Sequence, residues 1–322
     1  MMDLAKKISD RYLPKSCGYY DIFIDDENLT EELAPKAERD ETEDIYGDYY
    51  MPRKFKIGLT VPENNSVDVF TQDIGIVLLK NDDGSLRGYN ILVGGGLGHS
   101  HNKEHTYPRA GSPLLFAKPE DVLDAVHAIV TIQRDYGDRV DRTQARLKYL
   151  VDRVGIDWIH EEVERRTGKD FDPPEEIPAE MWGYDDHLGW HEQKDGHLYV
   201  GIYIENGRIQ DTEEKKQRSQ IRRIVEKFRP QVRITPQQNL VLSHIKPEDK
   251  EEIQRILDEG AISSGNGWLS TLRRREIACV ALPTCGLALA EAERVTPHLI
   301  TQLEEMGYGD DDVHIRVSGC PN

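Results

Sequence analysis

Four cysteines stand in a chain of 322 residues, and three of them are spaced as metal-binding thiols could be. Cys279 and Cys285 have five residues between them, with Pro283 breaking any continuous helix, and Cys320 is followed at once by Pro321. Thiolates are the ligands that iron–sulfur clusters require, and a proline after a ligand cysteine recurs in ferredoxins. Three thiols do not complete a four-cysteine site, and the spacing is equally compatible with small buried residues that do no chemistry. Cys17 has no evident partner and reads as a structural thiol.

A second group is cationic. Arg53-Lys54-Phe55-Lys56 opens an alternating run through Pro62, so a strand there places Lys54 and Lys56 on one face. Such a pair suits a small oxyanion, because an ammonium offers several donors and can also give up a proton. Taken alone, the run reads more simply as a solvated strand face. Gly94-Gly95-Gly96 lacks the full strand-loop-helix context and downstream acid of a dinucleotide loop. His99, His101 and His105 cluster as zinc or copper ligands sometimes do.

The elements that must position these groups are visible in the apolar periodicity. Lys54–Pro62, Val67–Leu79 and Tyr89–Val93 read as strands, the last two separated by the turn Asn81-Asp82-Asp83-Gly84. Pro119–Tyr136 and Thr143–Arg166 carry helical spacing, as in Val122, Ala125, Val126, Ile129 and Val130. The Pro- and acid-rich stretch Asp172–Asp186 predicts a domain boundary. Beyond it, His197–Ile204, Lys216–Phe228, Val232–Ile234 and Leu240–Ser243 give the order strand, helix, strand, strand of a small α+β unit of ferredoxin-like type, and a helix follows at Pro247–Glu259. The acid-crowded segment Asp25–Tyr50 reads as an exposed connector.

Composition narrows the function classes. With 38% apolar and 31% charged residues the chain fits a soluble globular protein, and no apolar stretch is long enough to span a bilayer. The opening residues lack an export signal, which predicts a cytoplasmic location. A net charge of −18 argues against nucleic acid as a partner.

Ala278–Ala288, then Ala290-Glu291-Ala292-Glu293-Arg294, then Val317-Ser318-Gly319-Cys320-Pro321-Asn322 together resemble the cluster signature of the siroheme-dependent sulfite and nitrite reductases. The resemblance runs from about Ala5 to Asn322. In that family a fourth cysteine, two residues beyond the position of Asn322, bridges a [4Fe–4S] cluster to the siroheme iron. The family also has a preceding region that carries two active-site arginines. On this resemblance the chain is expected to be an interior segment, inactive as it stands.

The resemblance implies a fold of α+β class in three parts. These are a siroheme-binding α/β domain over residues 1–172, a ferredoxin-like α+β half-domain over 173–246, and a truncated second siroheme and iron–sulfur α/β domain over 247–322. It makes Lys54 and Lys56 catalytic, as ligands and proton donors of the substrate, and Cys279, Cys285 and Cys320 cluster ligands. Cofactor contacts are expected from Arg53, Gly94, Gly95, Gly96, Asn102, Arg109, Arg142, Arg146, Lys148, Gln238 and Asn239. The histidine loop then lies beside the porphyrin and needs no metal of its own. The implied activity is six-electron reduction of sulfite to sulfide. Nitrite reductases of the family usually carry asparagine at the position of Lys56, so nitrite reduction is the alternative, and a non-catalytic truncated product is another. Leu188–Gln193, which includes Trp190-His191-Glu192, is more similar to the ferredoxin-dependent branch than to the flavoprotein-linked one.

Overall fold

The computed structural model describes residues 1–14, 23–25, 27–29, 43, 45–46, 50–100, 102–265 and 269–320. Most of the expected connector Asp25–Tyr50, together with Cys17, His101, Pro321 and Asn322, lies outside them. The chain divides into two units, Met1–Gly183 and Tyr184–Asn322. Among the described residues no helix is long and apolar enough to cross a membrane.

The first unit opens with a helix that the polar sequence did not announce, α1 (Met2–Tyr12), which buries only Leu4 and Ile8. Four strands follow in the sheet order β1 (Ile57–Thr60), β2 (Ile74–Lys80), β3 (Leu86–Val93) and β4 (Ser112–Ala117). The β1–β2 pair is parallel and the other two are antiparallel. Helices α2 (Val122–Tyr136), α3 (Leu147–Val154) and α4 (Ile156–Thr167) complete the unit.

Ile74, Ile76, Tyr89, Ile91 and Val93 share one core with the helices. Val77, Leu79, Leu92 and Phe116 form a second core with Phe70, Ile177 and Trp182. Burial on both faces explains why β2 and β3 read as apolar runs and not as clean alternation. Where one strand was expected over Val67–Leu79, Val69–Thr71 forms a helical turn and the strand starts at Ile74. The single helix expected over Thr143–Arg166 is two helices, because Gly155 adopts φ +87, a conformation that ends one and starts the other.

The unit also runs past the expected boundary at 172. Phe116 donates its N–H to Asp172 O, and the Asn90 side chain bonds the Glu175 backbone both ways, at 2.6 and 3.0 Å. Trp182 then lies against Phe70, with ring centroids 5.1 Å apart.

In the second unit β5 (Gly189–Glu192), β6 (Leu198–Ile202), β7 (Gln231–Ile234) and β8 (Leu240–Ile245) form an antiparallel sheet in the order β5-β6-β8-β7. Helices α5 (Gln217–Phe228) and α6 (Lys250–Glu259) bury Ile221, Ile224, Ile253, Ile256 and Leu257 against Val200, Ile202, Leu240 and Leu242. A boundary at 246 would therefore cut α6 from the sheet whose core it shares. Beyond α7 (Thr271–Arg274), β9 (Glu276–Ala278) pairs in parallel with β10 (Ile315–Val317), and α8 (Thr296–Glu305) lies between them in sequence.

Gly95 shows how tightly the first unit closes on its glycine loop. A Cβ there would overlap Phe70 O and lie 2.6 Å from Gln72 O, both backbone atoms that cannot swing aside. Gly95→Ala is expected to lower stability by about 3 kcal/mol, read as a drop in the denaturant midpoint at unchanged slope.

Candidate functional site

The cationic run does not lie in a strand. Lys54 and Lys56 precede β1, because Lys56 gives its backbone N–H to the Asp73 carboxylate, at 2.9 Å to Oδ2, and not to a ladder partner. The shared face expected for the two lysines is not a shared environment either, since Lys54 is exposed and Lys56 half-buried. Lys56 Nζ donates to Thr71 O at 3.1 Å. Burial pulls the Lys56 ammonium below its ordinary range, Asp73 pushes it back up, and Arg146 and Lys54 pull it down further.

Arg146, which caps α3, and Lys148, two residues on in its first turn, carry charges that act on the same group. Lys148 is fully buried, and burial together with the Arg146 and Lys56 charges lowers its ammonium to about 8, against the opposing pull of Asp73 and Asp152. Its three donors go to Gly96 O at 3.2 Å, Gly98 O at 2.8 Å and Tyr107 O. With three carbonyls on three N–H bonds, Lys148 holds the glycine loop and has no donor left for a ligand.

Arg109 is similarly engaged. Its guanidinium binds Asp152 at 2.8 Å, Gly94 O at 3.0 Å, Ala110 O at 2.9 Å and Ser112 Oγ at 2.9 Å. Both residues were expected to touch a cofactor, and the structure places both in the loop's framework. Arg146 differs, because its buried Nη1 has no hydrogen-bond partner among the described residues. An unpaired buried guanidinium donor is costly unless a ligand satisfies it. Arg53, Asn102 and Arg142 are exposed. His105 bonds Thr143 Oγ1 at 2.7 Å, tying the histidine loop to the turn that carries Arg142.

The second unit gathers the thiol-bearing segments by backbone. The β9–β10 ladder ends with Ala278 opposite Val317, and Cys279 N–H continues it to Val317 O at 3.0 Å. Gly319 N–H donates to Cys279 Sγ at 3.2 Å. Cys285 N–H reaches Ala281 O at 2.7 Å, and Leu289 and Ala290 both donate to Gly319 O. Ala278, Ala281 and Ala292 are buried among Cys279, Ala288 and Val317, small residues that let these segments approach. Among the described residues no group of three or more His, Cys, Asp and Glu is disposed to hold a metal ion.

Gln238 and Asn239 serve this framework as well. The Gln238 amide takes Ala278 from both sides, Nε2 to Ala278 O at 2.9 Å and Ala278 N–H to Oε1 at 3.3 Å. Asn239 is buried and accepts Ile204 N–H at 2.9 Å.

Two residues were not anticipated from sequence. Asp73, 1% exposed, sits inside the cation group, and its only signal was an acid abutting the apolar run of β2. Glu276 is buried in β9, where it accepts from Tyr203 Oη at 3.0 Å and its Oε2 finds no partner among the described residues. Nothing in the string Arg273-Arg274-Arg275-Glu276 set it apart from surface charge.

With this geometry in hand, comparison with known proteins is informative. Residues 5–171 match the family described as the nitrite and sulphite reductase 4Fe-4S domain, and residues 191–260 match the nitrite/sulfite reductase ferredoxin-like half domain. The chain therefore belongs to the nitrite and sulfite reductase family. It is 42% identical over 322 residues to the protein named sulfite reductase [NADPH] hemoprotein beta-component of Staphylococcus haemolyticus, covering 99% of this chain and 54% of that protein. The protein of the same name from Geobacillus kaustophilus is 41% identical, with 99% and 55% covered. The solved structure of the Mycobacterium tuberculosis NirA protein superposes with a TM-score of 0.69 at 25% identity, covering 86% of this chain and 49% of that one. The chain thus spans about half the length of the curated relatives it matches. Cys279, Cys285 and Cys320 fall beyond both matched stretches.

Two outcomes follow from these environments. Lys148→Met leaves the Gly96, Gly98 and Tyr107 carbonyls without their buried donor and is expected to cost about 3 kcal/mol, measured by chemical denaturation. Burial, with Glu205 and Glu304 adding to it, raises the Glu276 carboxyl from 4.5 to about 7, while Tyr203 and Arg273 oppose the rise. Between those values the folded protein keeps a proton that the unfolded chain releases, so this group's contribution is full at low pH and is lost as pH rises. Wild type is expected to lose about 2 kcal/mol more than Glu276→Gln between pH 5 and pH 8, in denaturation at the two pH values.

Proposed function

We propose that this chain is the catalytic part of an assimilatory sulfite reductase hemoprotein, reducing sulfite to sulfide with six electrons at a siroheme coupled to a [4Fe–4S] cluster. The carrying observation is that the charges of Lys56, Arg146 and Lys148 act on one another beside one buried carboxylate, Asp73, which Lys56 N–H contacts, with a buried Arg146 nitrogen that finds no partner among the described residues. Like charges are brought together at a cost, and an anionic ligand offsets it.

The residues present fit the implied groups. Arg146, with the exposed Arg53, Asn102 and Arg142, would hold siroheme carboxylates, and Cys279, Cys285 and Cys320 would hold cluster irons. A cluster spreads its thiolates over different irons, which is a different demand from a shell around one ion. Bound there, the two groups would supply single electrons and the iron at which S–O bonds break.

Lys54 and Lys56 do the rest of the chemistry. Sulfite with six electrons and seven protons gives hydrosulfide and three waters, so each departing oxygen must be protonated. A lysine made more acidic by burial and by a neighbouring guanidinium can bind the oxyanion and give a proton to its oxygen. Solvent then returns the proton through exposed Lys54. Gly96 and the loop held by Lys148 and Arg109 shape the wall of this pocket, and Gln238 holds the thiol segment through the Ala278 backbone.

Sulfite is favoured over nitrite by Lys56 and by the names of the curated relatives. Those names also support delivery from NADPH over the ferredoxin suggested by residues 188–193, since the likeness behind them covers 99% of the chain.

The test is made on the protein carrying this chain. Its visible spectrum is expected to show haem, and Lys56→Met should retain that spectrum while sulfite turnover falls about 100-fold. A spectrum without haem, or full turnover in the variant, overturns the reading.

A further inference from the structure

The segment Thr71–Ile74 sits at the meeting point of everything the oxyanion pocket needs. Ile74 N–H donates to Lys56 O at 3.0 Å, and Lys56 returns its own N–H to Asp73 Oδ2 at 2.9 Å. Lys56 Nζ reaches Thr71 O. On the other side Gly94 N–H donates to Asp73 O at 2.9 Å and Gly95 N–H to Gln72 O at 3.0 Å. One short segment therefore fixes both the lysine run and the glycine loop, and Asp73 contacts the two of them at once.

We infer that Asp73 is the positioning residue of the pocket, a buried counter-charge that fixes the Lys56 backbone and keeps the Lys56 ammonium protonated among its neighbouring cations. The inference deepens the reading of the sulfite site and takes its chemical meaning from that reading, while its test does not depend on sulfite.

The charge balance makes the case. Among the described residues the groups acting on Lys56 are Asp73, Arg146 and Lys54, and of these only Asp73 is negative. Those acting on Lys148 are Arg146, Asp73, Lys56 and Asp152, and Asp152 is already engaged by Arg109 and by Tyr107 Oη. Burial pushes the Asp73 carboxyl above its usual range, while the Lys56 N–H and the Lys56 and Arg146 charges hold it down. Among the described residues one acid, itself 1% exposed, thus acts on three cations, Lys56, Arg146 and Lys148, and its burial strengthens those Coulomb interactions. Without it Lys56 would shed its proton more readily. The pocket would then lose charge for binding the oxyanion and a proton to donate.

A residue that only supported the backbone would behave differently from a counter-charge. Asp73→Asn keeps an oxygen to accept Lys56 N–H and removes the charge. The Lys56 side chain can be followed by its 13Cε resonance in the chain, assigned with Lys56→Met. In Asp73→Asn the Lys56 midpoint is expected to fall by about one pH unit or more, with the amide spectrum otherwise retained. Linkage requires the reverse effect: in Lys56→Met the Asp73 13Cγ midpoint should rise by a similar amount. That second variant keeps the test decisive if Asp73→Asn does not fold. Arg146→Gln should move the Lys56 midpoint upward.

An unmoved Lys56 midpoint in folded Asp73→Asn, or an unmoved Asp73 midpoint in Lys56→Met, overturns the inference. In the protein carrying this chain, the acidic-to-basic fall of kcat/KM for sulfite should shift to lower pH in Asp73→Asn. Shifted midpoints in a protein that shows no haem and no sulfite turnover would sink the proposed function and leave the role of Asp73 standing.

Discussion

A buried carboxylate surrounded by more positive charge than it can neutralise organises the first unit. Asp73 lies at the foot of β2, where parallel pairing with β1 begins, and the same position receives the Gly94 backbone as β3 ends. The sheet fixes where the acid sits, and the acid fixes where the cations gather. Burying ionised groups is unfavourable unless each finds partners. Lys148 meets that demand with three carbonyls and Arg109 with a carboxylate, two carbonyls and a hydroxyl. Arg146 Nη1 does not meet it among the described residues, and this difference separates framework cations from a cation available to a ligand.

Much of the architecture was readable as periodicity. The spacing of Val122, Ala125, Val126, Ile129 and Val130 marks α2 because those residues enter one core. The alternation in 198–202 and 240–245 marks two central strands of the second sheet for the same reason. Elements with little to bury were missed. α1 sinks only two residues and β5 is a four-residue edge strand that is only partly buried, whereas β4 buries four residues but is disguised by Pro113. The break at Gly155 escaped notice because periodicity continues through it and the backbone angle does not show in the residue pattern.

The site was legible as residue types and not as partnerships. Lys56, Arg146 and Lys148 could be chosen from sequence, and the structure does bring their charges together. Which of them would be consumed by backbone carbonyls could not be read, since Lys148 closes on atoms 41 to 52 residues away. Asp73 was invisible for the same reason, with its contact to Lys56 spanning 17 residues. Gln238 and Asn239 were chosen as polar tips on a turn, yet their amides face Ala278 and Ile204. Sequence reports which groups are present, and the fold decides which of them have donors or acceptors to spare.

The parallel ladder of β9 and β10 has a consequence for assembly. Its partners lie far apart along the chain, Ala278 opposite Val317, and a parallel pair cannot be nucleated by a tight hairpin. The entropy of closing the intervening segment is lost before any contact is gained, which puts this zipping late in folding. Cys279 and Cys320 therefore become neighbours only after the surrounding small-residue packing has formed, so an inorganic centre inserted there would act as the last clasp and not as the seed.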